Sequence, residues 1–117
     1  MFVSHLHGDH FGGLPFLILD GQFSRRERPL TVAGPPGTAE RLWLAMETSF
    51  PGSSGAHRRF GVEVIELTPG STSAVTGIEV TAWEVDHPSG APGGCLLRNS
   101  RNAWVFLSSV CRIWKPV

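Results

Sequence analysis

The chain contains little cysteine and no long apolar segment. Only two of its 117 residues are cysteines, Cys95 and Cys111, and their separation fits no CxxC pattern. Two cysteines do not make a disulfide framework, so we predict free thiols in a reducing compartment. The longest apolar run, residues 14–19, is far too short to span a bilayer, and the first residues lack the basic lead of a signal peptide. These absences predict a cytoplasmic protein with no membrane association.

The chain also has no net charge. Its 10 Lys and Arg residues balance its 10 Asp and Glu residues, so no global field draws it to nucleic acid or to an anionic membrane. Two local arginine clusters, at residues 25–28 and 58–59, are interpreted as solvated loops, and the neighbouring His57 as solvent-exposed. A nucleic-acid-binding module is a third hypothesis, but the sequence shows no recognition motif for it.

Helix and strand patterns alternate along the chain, whose length predicts one domain over residues 1–117. A helix should begin near Leu14, because proline is tolerated in a first turn, and Gly21 should end or loosen it. A second helix should begin at Thr38 as N-cap. Its predicted buried stripe is Leu42, Ala45, Met46 and Phe50. The predicted strands are residues 2–3, 29–34, 62–67 and 78–85, and a hairpin of 95–98 and 104–110. Together these elements predict a layered α/β or α+β domain.

Residues 4–13, SHLHGDHFGG, hold three of the five histidines and an aspartate. In an extended segment, alternate side chains point to the same side, which would put His5, His7 and Asp9 together while His10 points elsewhere. Gly8 should let the backbone curl around ions without a Cβ clash. Imidazole and carboxylate suit Zn²⁺, and also Mn²⁺ or Fe²⁺. A single zinc held by three of these residues, and a set of ordinary polar loop residues, are the alternatives.

The segment HLHGDH resembles the HxHxDH motif of the metallo-β-lactamase fold hydrolases, and the continuation FGGL is similar as well. The resemblance implies a partial αββα layered fold. It also implies that His5 and His7 bind a first metal and that Asp9 and His10 bind a second. A further histidine for the first metal follows a later strand in that family, and His87 stands in the corresponding place. Within the family, the pattern is most similar to the ribonuclease Z branch.

The resemblance implies hydrolysis by a zinc-bound hydroxide. A metal ion lowers the pKa of its bound water toward about 7, and two ions about 3.5–4 Å apart can share the resulting hydroxide. Asp9 would be the catalytic residue as well as a ligand, orienting or deprotonating the nucleophile. The expected substrate is a small-molecule ester or phosphodiester, or RNA.

The sequence departs from the family pattern in its last third. A bridging aspartate and a later histidine are expected there, but Asp86 is the last acidic residue and His87 the last histidine. Family character is therefore assigned to residues 1–92, with a divergent tail at 93–117, and the second metal site is predicted to be weak. The alternative function is an inactive, truncated remnant that binds at most one metal ion. Ligands from a second copy, in a homodimer, would be one way to complete the site.

Overall fold

A computed structural model describes residues 1–84, 94–98 and 104–107. Helices alternate with two strands in the first part of the chain, and four antiparallel strands follow. This order agrees with the predicted α/β class. The helices are α1 (Gly8–Phe11), α2 (Leu14–Phe23) and α3 (Thr38–Ser49). The strands are β1 (Leu30–Gly34), β2 (Val62–Glu66), β3 (Thr72–Val75), β4 (Ile78–Trp83), β5 (Gly94–Arg98) and β6 (Trp104–Leu107).

The described strands form two sheets. Strands β1 and β2 run parallel, with Leu30 opposite Val62. The predicted strand tail is present as a parallel bridge between Phe2 and Ala33, and the Val3 amide donates to the Ala33 carbonyl at 2.8 Å. Strands β3 to β6 follow one another as an antiparallel sheet. The predicted hairpin is therefore confirmed as β5 and β6, although residues 108–110 of that prediction lie outside the described residues.

The parallel pair is covered on both faces, which gives the domain its layers. Val32 packs with α2 and α3 on one face, whereas Ala33 packs with β3 and β4 on the other, and both are fully buried. The helix-side cluster consists of Val3, Phe11, Leu14, Ile18, Leu30, Val32, Leu42, Met46 and Phe60. This order of helices, sheet and second sheet is what the predicted partial αββα fold requires.

Helix α2 begins at Leu14 with Pro15 in its first turn, as predicted. The expectation that Gly21 ends or loosens it is wrong, because the helix continues to Phe23. Gly21 is buried, and a Cβ there would lie 2.9 Å from Cζ of Phe60. The glycine therefore permits close packing of the Phe60 ring against the helix.

Helix α3 contains the predicted stripe, with Leu42 and Met46 buried and Ala45 and Phe50 half-buried. Thr38 is not its N-cap. That position is taken by Gly37, whose φ of 88° a β-branched residue would adopt only with strain. The Thr38 hydroxyl donates to the Pro35 carbonyl at 2.6 Å instead.

Strand β3 is absent from the sequence prediction because its first residues are polar and it is only four residues long. It joins β4 through Thr76 and Gly77, with φ values of 49° and 82°. Two consecutive positive φ values are what a type I′ hairpin turn requires, and they favour Asn-Gly rather than Thr-Gly.

The Thr76→Asn substitution is therefore expected to raise the free energy of unfolding by about 1 kcal/mol, because asparagine tolerates the left-handed conformation and threonine does not. Chemical denaturation would measure the change. The matched control is Thr68→Asn, at an exposed turn position whose φ is not positive. Equal shifts in both variants would contradict the explanation.

Candidate metal centre

The histidine-rich segment changes conformation in its middle. It is extended as far as His7, with φ −83° and ψ 150°, and α1 then begins at Gly8. The amides of His10 and Phe11 donate to the His7 carbonyl at 2.9 and 3.1 Å. The alternation predicted for an extended segment therefore stops at His7, and Asp9 is placed by a helical turn instead.

Three imidazole rings meet at this junction. His5 is 1% exposed, and its ring centroid lies 4.6 Å from that of His7 and 4.2 Å from that of His10. Nε2 of His5 lies 3.0 Å from Nδ1 of His7. On its other side, Nδ1 of His5 lies 3.1 Å from the hydroxyl oxygen of Ser4. The buried imidazole is thus held between a hydroxyl group and a second imidazole.

The first pair of nitrogens fits a metal ion. In a tetrahedral zinc site with Zn–N bonds of about 2.05 Å, two ligand nitrogens lie about 3.3 Å apart. The 3.0 Å separation of Nε2 of His5 and Nδ1 of His7 is close to that distance. Within residues 1–84 and the two later strands, however, no group of three or more His, Cys, Asp or Glu residues has metal-holding geometry. The predicted third ligand, His87, lies outside the described residues.

Asp9 and His10 form the other half of the predicted site. Oδ2 of Asp9 lies 3.3 Å from Nε2 of His10, and their side chains are 77% and 34% exposed. The carboxylate is therefore accessible from solvent, whereas the His10 ring contacts the buried His5 ring. The described structure brings all four N-terminal candidates together as two pairs of donor atoms, 3.0 Å apart in His5 and His7 and 3.3 Å apart in Asp9 and His10.

The backbone of this turn depends on Gly12 rather than on Gly8. The Gly12 amide donates to the Gly8 carbonyl at 2.9 Å, and a Cβ at Gly12 would lie 2.3 Å from that carbonyl oxygen. A Cβ at Gly8 would meet no atom of the described residues within 4 Å, its chain neighbours aside. The described residues around Gly8 therefore leave room for a side chain and do not require a glycine there. In the sequence, the pair of glycines at positions 12 and 13, directly after the motif, indicates that the chain turns closely there.

Two charged side chains outside the histidine-rich segment have structural partners. Arg26 donates from Nε to the Arg28 carbonyl at 2.7 Å, and its guanidinium lies 5.8 Å from the Phe60 ring centroid. Glu47 accepts hydrogen bonds from the Ser54 hydroxyl and from backbone amides, which lowers the pKa of its carboxyl group. His57 is exposed, as predicted. The contacts of Arg26 and Glu47 hold loop residues beside the helices, and both residues lie outside the histidine-rich segment.

Comparison with known proteins agrees with the motif and the layers. The family model described as a β-lactamase superfamily domain matches residues 1–113. The chain belongs to the metallo-β-lactamase superfamily. The resemblance inferred from HLHGDH and the partial fold are thereby confirmed. This superfamily is one of hydrolases and nucleases that usually bind metal ions. The match extends beyond residue 92, although the sequence after His87 contains no further aspartate or histidine.

Similar relatives within the superfamily are ribonucleases. The chain is 36% identical over 101 residues to ribonuclease Z of Methanosarcina acetivorans, which covers 86% of the chain and 32% of the relative. It is 33% identical over 102 residues to ribonuclease Z of Haloferax volcanii, covering 86% and 31%. It is 35% identical over 88 residues to ribonuclease BN of Citrobacter koseri, covering 75% and 27%. The chain thus spans about a third or less of the length of these relatives.

Membrane association was predicted to be absent. Among the helices of the described residues, none combines the length and the apolar character needed to cross a bilayer.

Proposed function

We propose that this metallo-β-lactamase superfamily chain carries the metal-binding motif of a hydrolase that cleaves phosphodiester or ester bonds. RNA is the substrate class that the names of the ribonuclease relatives favour. The observation that carries the proposal is the 3.0 Å separation of Nε2 of His5 and Nδ1 of His7, next to the His10 ring. These donors fit Zn²⁺, with Mn²⁺ and Fe²⁺ as further candidates.

Each residue of the motif has a proposed role. His5, His7 and His87 hold a first ion, and Asp9 and His10 hold a second, weaker one. When bound, such ions supply positive charge for the developing oxyanion and lower the pKa of a water molecule. His5 is the buried anchor of the set, because its ring is 1% exposed. Asp9, whose carboxylate is exposed, is proposed to orient an attacking water molecule and to accept a proton from it.

The second candidate function is a non-catalytic remnant that holds at most one ion. It is favoured by the sequence after Asp86, which contains no aspartate for a bridge between two ions. The two described donors at a common point, from His5 and His7, suffice for part of one site only. The two candidates therefore differ in metal stoichiometry and in activity.

Elemental analysis of the purified chain after zinc loading, paired with hydrolysis of a bis-aryl phosphodiester, tests the proposal. We expect two zinc ions per chain, the second removed more readily by a chelator, and metal-dependent hydrolysis. One ion without hydrolysis would establish the remnant. No ion above the background of a chelator-treated sample, together with no hydrolysis, would refute the hydrolase and favour the remnant as well. An aryl ester and a single-stranded RNA, assayed in parallel, distinguish the substrate classes.

Assembly and location are further parts of the proposal. A cytoplasmic location follows from the cysteine usage, and a homodimer would be one source of missing ligands. Sedimentation with and without zinc tests the latter, with a zinc-dependent increase in mass expected for shared ligands. An unchanged monomer mass would exclude them.

A further inference from the structure

Ser4 contacts the buried imidazole of the metal centre from the side opposite to His7. Its hydroxyl oxygen lies 3.1 Å from Nδ1 of His5, while Nε2 of the same ring lies 3.0 Å from Nδ1 of His7. From this geometry we infer that Ser4 is a positioning residue, whose hydroxyl accepts the proton on Nδ1 of His5 and so directs the lone pair of Nε2 toward the metal position. The inference rests on the proposed function.

A neutral imidazole carries one proton on one of its two nitrogens, and only the other nitrogen has a lone pair for a metal ion. Metal-binding histidines usually donate their second ring N–H to an oxygen, which fixes the tautomer and the ring orientation. His5 is 1% exposed, so water has little access to replace a lost partner. Ser4 contributes such an oxygen, 3.1 Å from Nδ1 of His5.

The hydroxyl group could instead donate to Nδ1, which would place the His5 proton on Nε2. That proton would then lie between Nε2 of His5 and Nδ1 of His7, which are 3.0 Å apart. A cation at the same position is incompatible with it, because the metal must replace the proton. The site can therefore bind metal through both nitrogens only when Ser4 is the acceptor.

Zinc affinity provides the first test, measured by competition with a chromophoric chelator. Ser4→Ala is expected to weaken binding at the tighter site by about 10–100-fold, which is typical for loss of a partner of a metal-binding histidine. Ser4→Thr keeps the hydroxyl group and should restore the wild-type affinity. Ser24→Ala removes a hydroxyl group that donates to the Gly21 carbonyl, outside the histidine cluster, and this variant should bind zinc as the wild type does.

Imidazole ¹⁵N chemical shifts of the metal-free protein, at a pH where histidine is neutral, provide the second test. The wild type and Ser4→Thr should show His5 protonated at Nδ1, and Ser4→Ala should lose that preference. Identical spectra and identical zinc affinities of wild type and Ser4→Ala would overturn the role of Ser4 and leave the proposed function standing. A wild-type chain that binds no zinc would refute the proposed function, and the spectra alone would then decide the role of Ser4.

Discussion

The His7→Ala chain is expected to lose zinc binding at the tighter site, with an affinity more than about 100-fold below that of the wild type. Loss of a supporting partner already costs about 10–100-fold, and loss of a ligand exceeds that. His7 supplies one of the two nitrogens that lie 3.0 Å apart, so the substitution leaves only Nε2 of His5 from this described pair. Hydrolysis of the phosphodiester probe should fall to background together with the bound metal.

The control for this experiment is His57→Ala. It is the same chemical change at an exposed loop position, and it should alter neither the zinc affinity nor the activity. Circular dichroism of both metal-free variants checks that each retains the wild-type fold. If His7→Ala and His57→Ala bound zinc equally well, the ion would be held elsewhere, and the proposed metal centre would be wrong.

A Gly12→Ala substitution should distort the turn that carries Asp9 and His10. The added Cβ would lie 2.3 Å from the Gly8 carbonyl oxygen, and a backbone atom cannot move aside as a flexible side chain can. We expect the free energy of unfolding to fall by about 2 kcal/mol, within the range typical of overpacked sites. The second, weaker metal should be lost as well, because both of its proposed ligands lie on α1.

Gly8→Ala is the matched control for stability. It adds the same methyl group four residues earlier, where no atom of the described residues lies within 4 Å, its chain neighbours aside, and its effect should remain within about 0.5 kcal/mol. Urea denaturation of the two metal-free variants separates the cases. If Gly8→Ala were the more destabilising change, the turn would depend on the glycine inside the motif rather than on the glycine after it.

The ligand chemistry could be predicted from the sequence because it depends on residue type. Four metal-binding side chains within residues 5–10 were sufficient to identify His5, His7, Asp9 and His10 as candidates. The geometry of these side chains could not be predicted in the same way. Alternation of side chains holds only in an extended segment, and the helix already begins at Gly8. A change from extended to helical backbone within a six-residue motif leaves little periodicity from which to detect it.

The fold was predictable where the pattern is local. The apolar run from Leu14 predicts the start of α2, and the β-branched residues before Gly34 predict β1 to within one residue. The sequence prediction is wrong where a residue far away in the chain determines the local structure. Gly21 is explained by Phe60, which lies 39 positions later in the sequence and packs against it in the structure. A window of neighbouring residues contains no sign of that contact, so the glycine was interpreted as a helix breaker.

The start of α3 is also stabilised by a residue that lies far from it in the sequence. Oε1 of Glu66, the last residue of β2, accepts a hydrogen bond from the Ala39 amide at 3.0 Å, while Glu66 pairs with Gly34 in the sheet. A slip of β2 by one residue would carry this carboxylate to the opposite face and bring Ile65 to the helix end in its place. The hydrogen bond at the start of α3 is therefore compatible with the observed alignment of β1 and β2 and would be lost in an alignment shifted by one residue.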